Sequence, residues 1–254
     1  MHARGFLMHA PTYSTCVHNA ATMSRLKPPS KEDSLLLPPF ALLPDSHVFV
    51  PGTEAEFELA RTALLAQSSL GFDTESKPIF HPGQIDNGPH VVQLATPDAA
   101  WILQLHHAQA LELAREVLAA PHICKVGFGL EHDTSALPKR LGVELVNVLD
   151  LDRVFKRHGY GNSTGVRAAV ALVLRQNFHK SKKQSTSNWA NRVLSPAQIR
   201  YAANDAHAPA VIYAALPAWE SRQPPAPTQR KRPPVAHAGM PAPARTAQHN
   251  RLPE

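Results

Sequence analysis

Apolar residues along this chain fall into short runs with two different periods. His47-Val48-Phe49-Val50 predicts a first strand, stopped by Pro51-Gly52. Thr53-Glu54-Ala55-Glu56 has the spacing of a capping box, and Phe57, Leu59, Ala60, Leu64 and Leu65 form a stripe, which predicts a helix over 53–67. Leu70-Gly71-Phe72 runs into Asp73-Thr74-Glu75 as a second strand. The segments 91–95 and 101–105, parted by a turn with Thr96-Pro97-Asp98, read as a hairpin. A helix over 109–119, a short buried strand over 123–127 and a helix over 131–141 follow, with Pro138 expected to kink or divide that helix. The valine-rich stretch 143–148 predicts extended chain, and three more helices are predicted over 150–158, 165–176 and 195–217. Antiparallel strands first and alternating strands and helices afterwards give an α/β fold, a mixed sheet flanked by helices. The sequence shows no internal repeat.

Composition divides the chain into three parts. Residues 1–44 have no sustained period and read as a flexible leader; 45–220 carry the periodic elements; 221–254 hold eight prolines and Arg230-Lys231-Arg232, which predicts a disordered basic tail. The formal charge of +6 sits mostly at the ends, since residues 32–220 carry 16 basic and 19 acidic side chains. Within that middle, no Asp or Glu occurs between Asp152 and Asp205, while ten Lys or Arg do. Such a gap suits a polyanionic partner. The two cysteines, Cys16 and Cys124, imply no disulfide framework, and a reducing cytoplasm is the expected location. No apolar run reaches the roughly 18 residues of a membrane span. Residues 1–31 lack a signal-peptide core and any acidic residue, which fits either an organellar presequence or a true start at Met23.

The candidate chemistry lies in four carboxylates and a tyrosine. On a strand, Asp73 and Glu75 point to the same face, which reads either as a solvated acidic edge or as two like charges held by a cation between them. Hard oxygen ligands suit Mg²⁺ or Mn²⁺. Lys125-Val126-Gly127 reads as a strand running to a glycine break, after which Asp133 falls in the first turn of a helix. Ser195-Pro196-Ala197-Gln198 sets the frame of the last long helix: Ser N-cap, Pro at N1, Gln at N3. Tyr201 and Asp205 then share one helical face. Pro209 has no N–H for the carbonyl of Asp205, which predicts a kink or a helix end near this site.

Phe72-Asp73-Thr74-Glu75, Lys125-Val126-Gly127 with Asp133, and Tyr201-Ala202-Ala203-Asn204-Asp205-Ala206 resemble, in order, the three exonuclease motifs of the DEDD superfamily. Tyrosine four residues before the last aspartate is similar to its tyrosine branch, which contains ribonuclease D and the Werner-type exonuclease domains. The histidine branch would place its His where Arg200 stands. Ser187-Asn188-Trp189 with Leu194 strengthens the likeness, which covers 47–217. The resemblance implies a ribonuclease H-like fold and two-metal hydrolysis of phosphodiester bonds from the 3′ end of DNA or RNA, releasing nucleoside 5′-monophosphates. It implies two divalent cations, Mg²⁺ or Mn²⁺. Asp73 would bridge them, Glu75 and Asp205 would complete the first site, Asp133 would hold the second, and Tyr201 would orient the attacking water. A single-stranded or 3′-ended nucleic acid is the expected partner; nothing in the sequence points to a membrane or to a protein partner.

Lys180, Lys182, Lys183 and Arg192, in the predicted loop 177–194, are candidates to hold backbone phosphates. Trp189 could stack a base, but covering the last helix is the reading preferred. Phe128 and Phe80 could wedge a terminal base or simply pack. Asp150 and Asp152 are expected to cap a helix. The 15 histidines show no zinc-type spacing. Ribonuclease D-like proteins usually continue into helical HRDC domains, which the 34 residues after Glu220 cannot form, so a stand-alone exonuclease is expected. The alternative is a catalytically idle binding or scaffolding module on the same fold; lost carboxylates would favour it, and none is lost.

Overall fold

A computed structural model describes residues 25–79, 81, 83, 88–161 and 164–223. Six strands form one mixed sheet in the order β1-β4-β3-β2-β5-β6. They are β1 Val48–Phe49, β2 Ser69–Glu75, β3 Val91–Ala95, β4 Ala100–Gln104, β5 Cys124–Gly127 and β6 Val148–Asp150. β3 runs antiparallel to β2 and β4, whereas β1–β4, β2–β5 and β5–β6 pair in parallel. The helices are α1 Lys31–Leu35, α2 Glu54–Leu65, α3 Ala108–Ala119, α4 Glu131–Leu141, α5 Leu151–Arg157, α6 Val166–Leu174, α7 Lys182–Ser185 and α8 Pro196–Glu220. Among the described residues, no helix is long and apolar enough to cross a membrane.

Alternation along the strands builds a core on each face. Leu70, Phe72, Val92, Leu94 and Leu103 meet Phe57, Leu64, Leu113 and Val117 from α2 and α3. Val91, Ala95, Ala100 and Ile102 meet Ala202, Ala203 and Ala206 of α8. β3 is buried at every position, as a strand covered on both faces must be. The expected capping boxes are both present, with Thr53 accepting from Glu56 N and Ser195 from Gln198 N.

Several expectations need correction. Residues 25–44, read as part of a flexible leader, carry structure here. Ser30 caps α1 in a box with Asp33, Phe40 and Leu43 are buried, and Phe40 N donates to Asn177 O at 2.9 Å. Isolated anchors hold this segment, so no period announces it. Residues 1–24 and 224–254, where the rest of the leader and most of the tail were placed, lie outside the described residues, as does Phe80. The extended stretch expected over 143–148 contributes only its last residue to β6, and Asn147 before it has φ 56°. The loop 177–194 contains the short helix α7.

At two prolines where a kink or a break was expected, the helix is not broken. α4 is not divided at Pro138. α8 does not end near Pro209 but continues through it and through Pro217 to Glu220. Beyond Pro209 the helix buries Ile212, Leu216 and Trp219 against α5 and α6, and that burial outweighs the loss of one backbone hydrogen bond.

Candidate active site

The site forms where the C-terminal end of β2 meets the first turns of α8. Gly71 allows this approach: a Cβ there would lie 1.9 Å from the carbonyl oxygen of Ala206 and 2.9 Å from Ala210 N. With the helix that close, Asp73 and Glu75 on the same strand face come up against Asp205. One ligand oxygen from each of the three lies within 4.8 Å of the others. Asp205 is 4% exposed and Glu75 9%.

Asp133, in the first turn of α4, stands beside this trio. Its Oδ1 accepts from the hydroxyl of Thr74, the residue between the two acids of β2. Thr74 N also donates to Asp73 Oδ1 at 2.9 Å. Sequence reading missed Thr74; its position between two acids places it on the opposite face of the strand, and only the tertiary fold brings Asp133 to it.

Tyr201 is buried against Trp189, ring centroids 5.9 Å apart. Its hydroxyl has no hydrogen bond of good geometry among the described residues. Trp189 is 1% exposed, so it covers α8 and offers no free face to a base. Phe128 is half-buried and stacks on Phe155 at 6.4 Å. Asp150 caps α5, accepting from Asp152 N, while Asp152 accepts from Thr164 N at 2.6 Å. Gln93 was also overlooked. It pairs across the ladder with Asp73 and is fully buried, and both ends of its amide lack a partner among the described residues.

The basic residues divide. Lys182 and Lys183 open α7 and are exposed, as is Arg192. Lys180 turns inward: its Nζ is 2.8 Å from Asp205 Oδ2 and 5.5 Å from the centre of the Tyr201 ring. The sequence did not foretell this inward placement.

Electrostatics follow from this crowding. Burial pushes Glu75 up to about 9, with the charges of Asp73 and then Asp205 adding to it. Asp73 is raised by desolvation first and by Asp205 next. Asp133 and Asp205 are raised by burial, opposed by the Thr74 hydroxyl and by Lys180 respectively. Burial alone would lower Lys180, but Asp205 and Asp73 outweigh it and hold the ammonium charged. Tyr201 is pushed above its ordinary value by burial and by Asp205. Carboxylates gathered in a desolvated pocket are the donor set that fits a hard divalent cation.

The family model described as 3'-5' exonuclease matches residues 49–218, a span that contains every one of these side chains. The chain belongs to the 3'-5' exonuclease family. Among curated relatives, it is 28% identical over 198 residues to the exonuclease mut-7 homolog of Aedes aegypti, covering 68% of this chain and 27% of that protein. It is 30% identical over 152 residues to the bifunctional 3'-5' exonuclease/ATP-dependent helicase WRN of Mus musculus, covering 58% of this chain and 11% of that one. The exonuclease-family chain thus spans about a quarter and about a tenth of these two relatives. Among solved structures, the Aedes aegypti Nibbler EXO domain superposes with a TM-score of 0.60 at 25% identity, covering 70% of this chain and 91% of that one. Escherichia coli RNase D, at 18% identity and a TM-score of 0.59 over 68% of this chain and 45% of its own, shares the fold.

Proposed function

We propose that this 3'-5' exonuclease family member hydrolyses the terminal phosphodiester of a nucleic-acid strand and releases nucleoside 5′-monophosphates. The observation that carries the reading is the convergence of Asp73, Glu75 and Asp205 within 4.8 Å, with Asp133 and Tyr201 beside them. Asp73, Glu75 and Asp205 would hold one Mg²⁺ or Mn²⁺, and Asp133 with Asp73 a second. Such a pair of ions supplies an activated water and neutralises charge on the phosphate. Tyr201 belongs to the tyrosine branch in this reading. With its pKa raised it keeps its proton at neutral pH, so it orients water through the hydroxyl instead of acting as a base. Lys182, Lys183 and Arg192, exposed just before α8, contact the backbone of the strand.

The test is trimming of 5′-labelled single-stranded DNA and RNA with Mg²⁺ or Mn²⁺, alongside Asp73→Ala and an EDTA control. A descending ladder lost in both controls supports the reading and ranks the two sugars. Binding of either strand without any ladder would replace it with the idle-module reading.

A further inference from the structure

A cavity of about 380 Å³ opens beside the carboxylate cluster, between α1 and the start of α6, with Lys31, Ser34, Gly165, Arg167 and Lys180 in its wall. Three of these are cationic, and no acidic side chain lines it among the described residues. Of the two acids on α1, Asp33 turns back to its own cap, its Oδ2 2.8 Å from Ser30 Oγ, and Glu32 is not part of the wall. Lys31 and Arg167 make no ion pair among the described residues, and Arg167 is half-buried. A half-buried guanidinium without a counter-charge favours an anion beside it.

The floor is built for the same charge. Gly165 caps α6 with no side chain to accept from the first amides, and the first turn carries no acid. These N–H groups and the helix dipole therefore face the cavity uncompensated. The neighbouring Thr164 is 1% exposed, and its hydroxyl has no partner among the described residues. Lys180 ties the cavity to the reaction centre, since its ammonium is the one at Asp205.

We infer that this cavity seats a backbone phosphate of the strand being trimmed, held by Lys31 and Arg167 at the N-terminal end of α6, with the Asp205-paired Lys180 in its wall. The inference rests on the exonuclease reading for its ligand. Its volume exceeds that of a phosphate group alone and leaves room for the attached sugar. Lys31 and Ser34 precede residue 49, where the family match begins, so one wall of this seat lies outside the family domain.

The experiment compares the full-length chain with K31A/R167A and with R222A, which removes an exposed charge elsewhere. Binding of fluorescein-labelled 12-mer DNA and RNA is read by anisotropy in EDTA across a salt series. The double variant is expected to bind about tenfold more weakly, with the slope of log Kd against log salt reduced by about one for every phosphate no longer neutralised. R222A should stay within about twofold of the parent chain. A parallel arm follows thermal protection by inorganic pyrophosphate. Unchanged strand affinity and salt slope in K31A/R167A overturn the inference. If strand binding is unchanged but pyrophosphate protection disappears, the cavity takes a free anion and the strand assignment falls. A parent chain that binds strands through these residues but never trims them would sink the exonuclease reading and leave this one standing. Should the double variant fold poorly, K31A alone, at an exposed first-turn position, carries the same comparison.

Discussion

Lys180 Nζ lies 2.8 Å from Asp205 Oδ2, so the three clustered carboxylates already share a cation from the chain itself. An incoming divalent ion must draw Asp205 away from that ammonium. Replacing Lys180 by Met removes the competitor. We expect Mn²⁺ to bind K180M about tenfold more tightly than the parent, the scale of one charge-assisted hydrogen bond. Titration followed by the electron paramagnetic resonance of free Mn²⁺ measures this directly. Weaker binding would show instead that the ammonium holds Asp205 in place for the metal.

The same geometry makes two chemically equal substitutions differ in stability. Asp73 is raised by desolvation and by the charge of Asp205, so D73N relieves repulsion in the metal-free chain. It should abolish trimming and raise unfolding stability in EDTA by about 1–2 kcal/mol. D205N should abolish trimming too, but it strands the Lys180 ammonium. Because that side chain is 34% exposed, the loss should be about 1–2 kcal/mol, smaller than for a fully buried pair. Urea unfolding in EDTA separates the two; equal shifts of the same sign would contradict the assigned pairing.

Much of this architecture could be read from residue types alone, and the limits have physical causes. Asp73 and Glu75 share a face because a strand alternates, and Tyr201 and Asp205 share one because a helix turns every 3.6 residues. The Ser195 capping box fixed the frame of α8 before its position was known. Register and tertiary approach are a different matter. Nothing local tells that Gln93 faces Asp73, that Thr74 reaches Asp133, or that Lys180 turns inward while Lys182 and Lys183 stay in solvent. The segment before residue 45 escaped for the opposite reason. Phe40 and Leu43 bury themselves singly, and two anchors have no period to detect. At Pro209 a helix end was one of two outcomes expected, and it does not occur because burial along the remaining turns of α8 outweighs one lost hydrogen bond.

The carboxylate cluster also sets a pH dependence. Glu75 is raised to about 9 in the fold from an ordinary value of 4.5, and Asp73, Asp133 and Asp205 shift the same way. Between those two values the folded chain binds more protons than the unfolded one, so stability falls as pH rises. In EDTA the cluster's contribution to the melting temperature should therefore be fully present below the ordinary carboxyl values of 3.8 to 4.5 and should decline from there toward pH 9. Lys180 does not offset the trend, because its folded form stays protonated throughout that window. Saturating Mn²⁺ should flatten the decline and release protons on binding, which calorimetry in two buffers of different ionisation enthalpy detects. A metal-free melting temperature that climbs from pH 5 to pH 9 would mean the cluster is not desolvated as described.

Gly71 offers the most direct test of how the fold positions the chemistry. A methyl group at this position would sit 1.9 Å from the carbonyl oxygen of Ala206, a backbone atom with no side chain to swing aside. Either α8 moves away from β2 or the strand bends. G71A should cost about 2–3 kcal/mol of unfolding stability, in the range of an overpacked core site. Because Ala206 directly follows Asp205, any movement of α8 also draws that carboxylate from Asp73 and Glu75. We therefore expect chains of G71A that remain folded to lose Mn²⁺ affinity as well as trimming activity. An equivalent Gly→Ala change at Gly52, where the nearest atom to the new Cβ is the end of the Glu56 side chain at 3.9 Å, should leave Mn²⁺ binding unaltered. If G71A melts lower but binds Mn²⁺ like the parent, the close approach serves packing alone and does not set the spacing of the carboxylates.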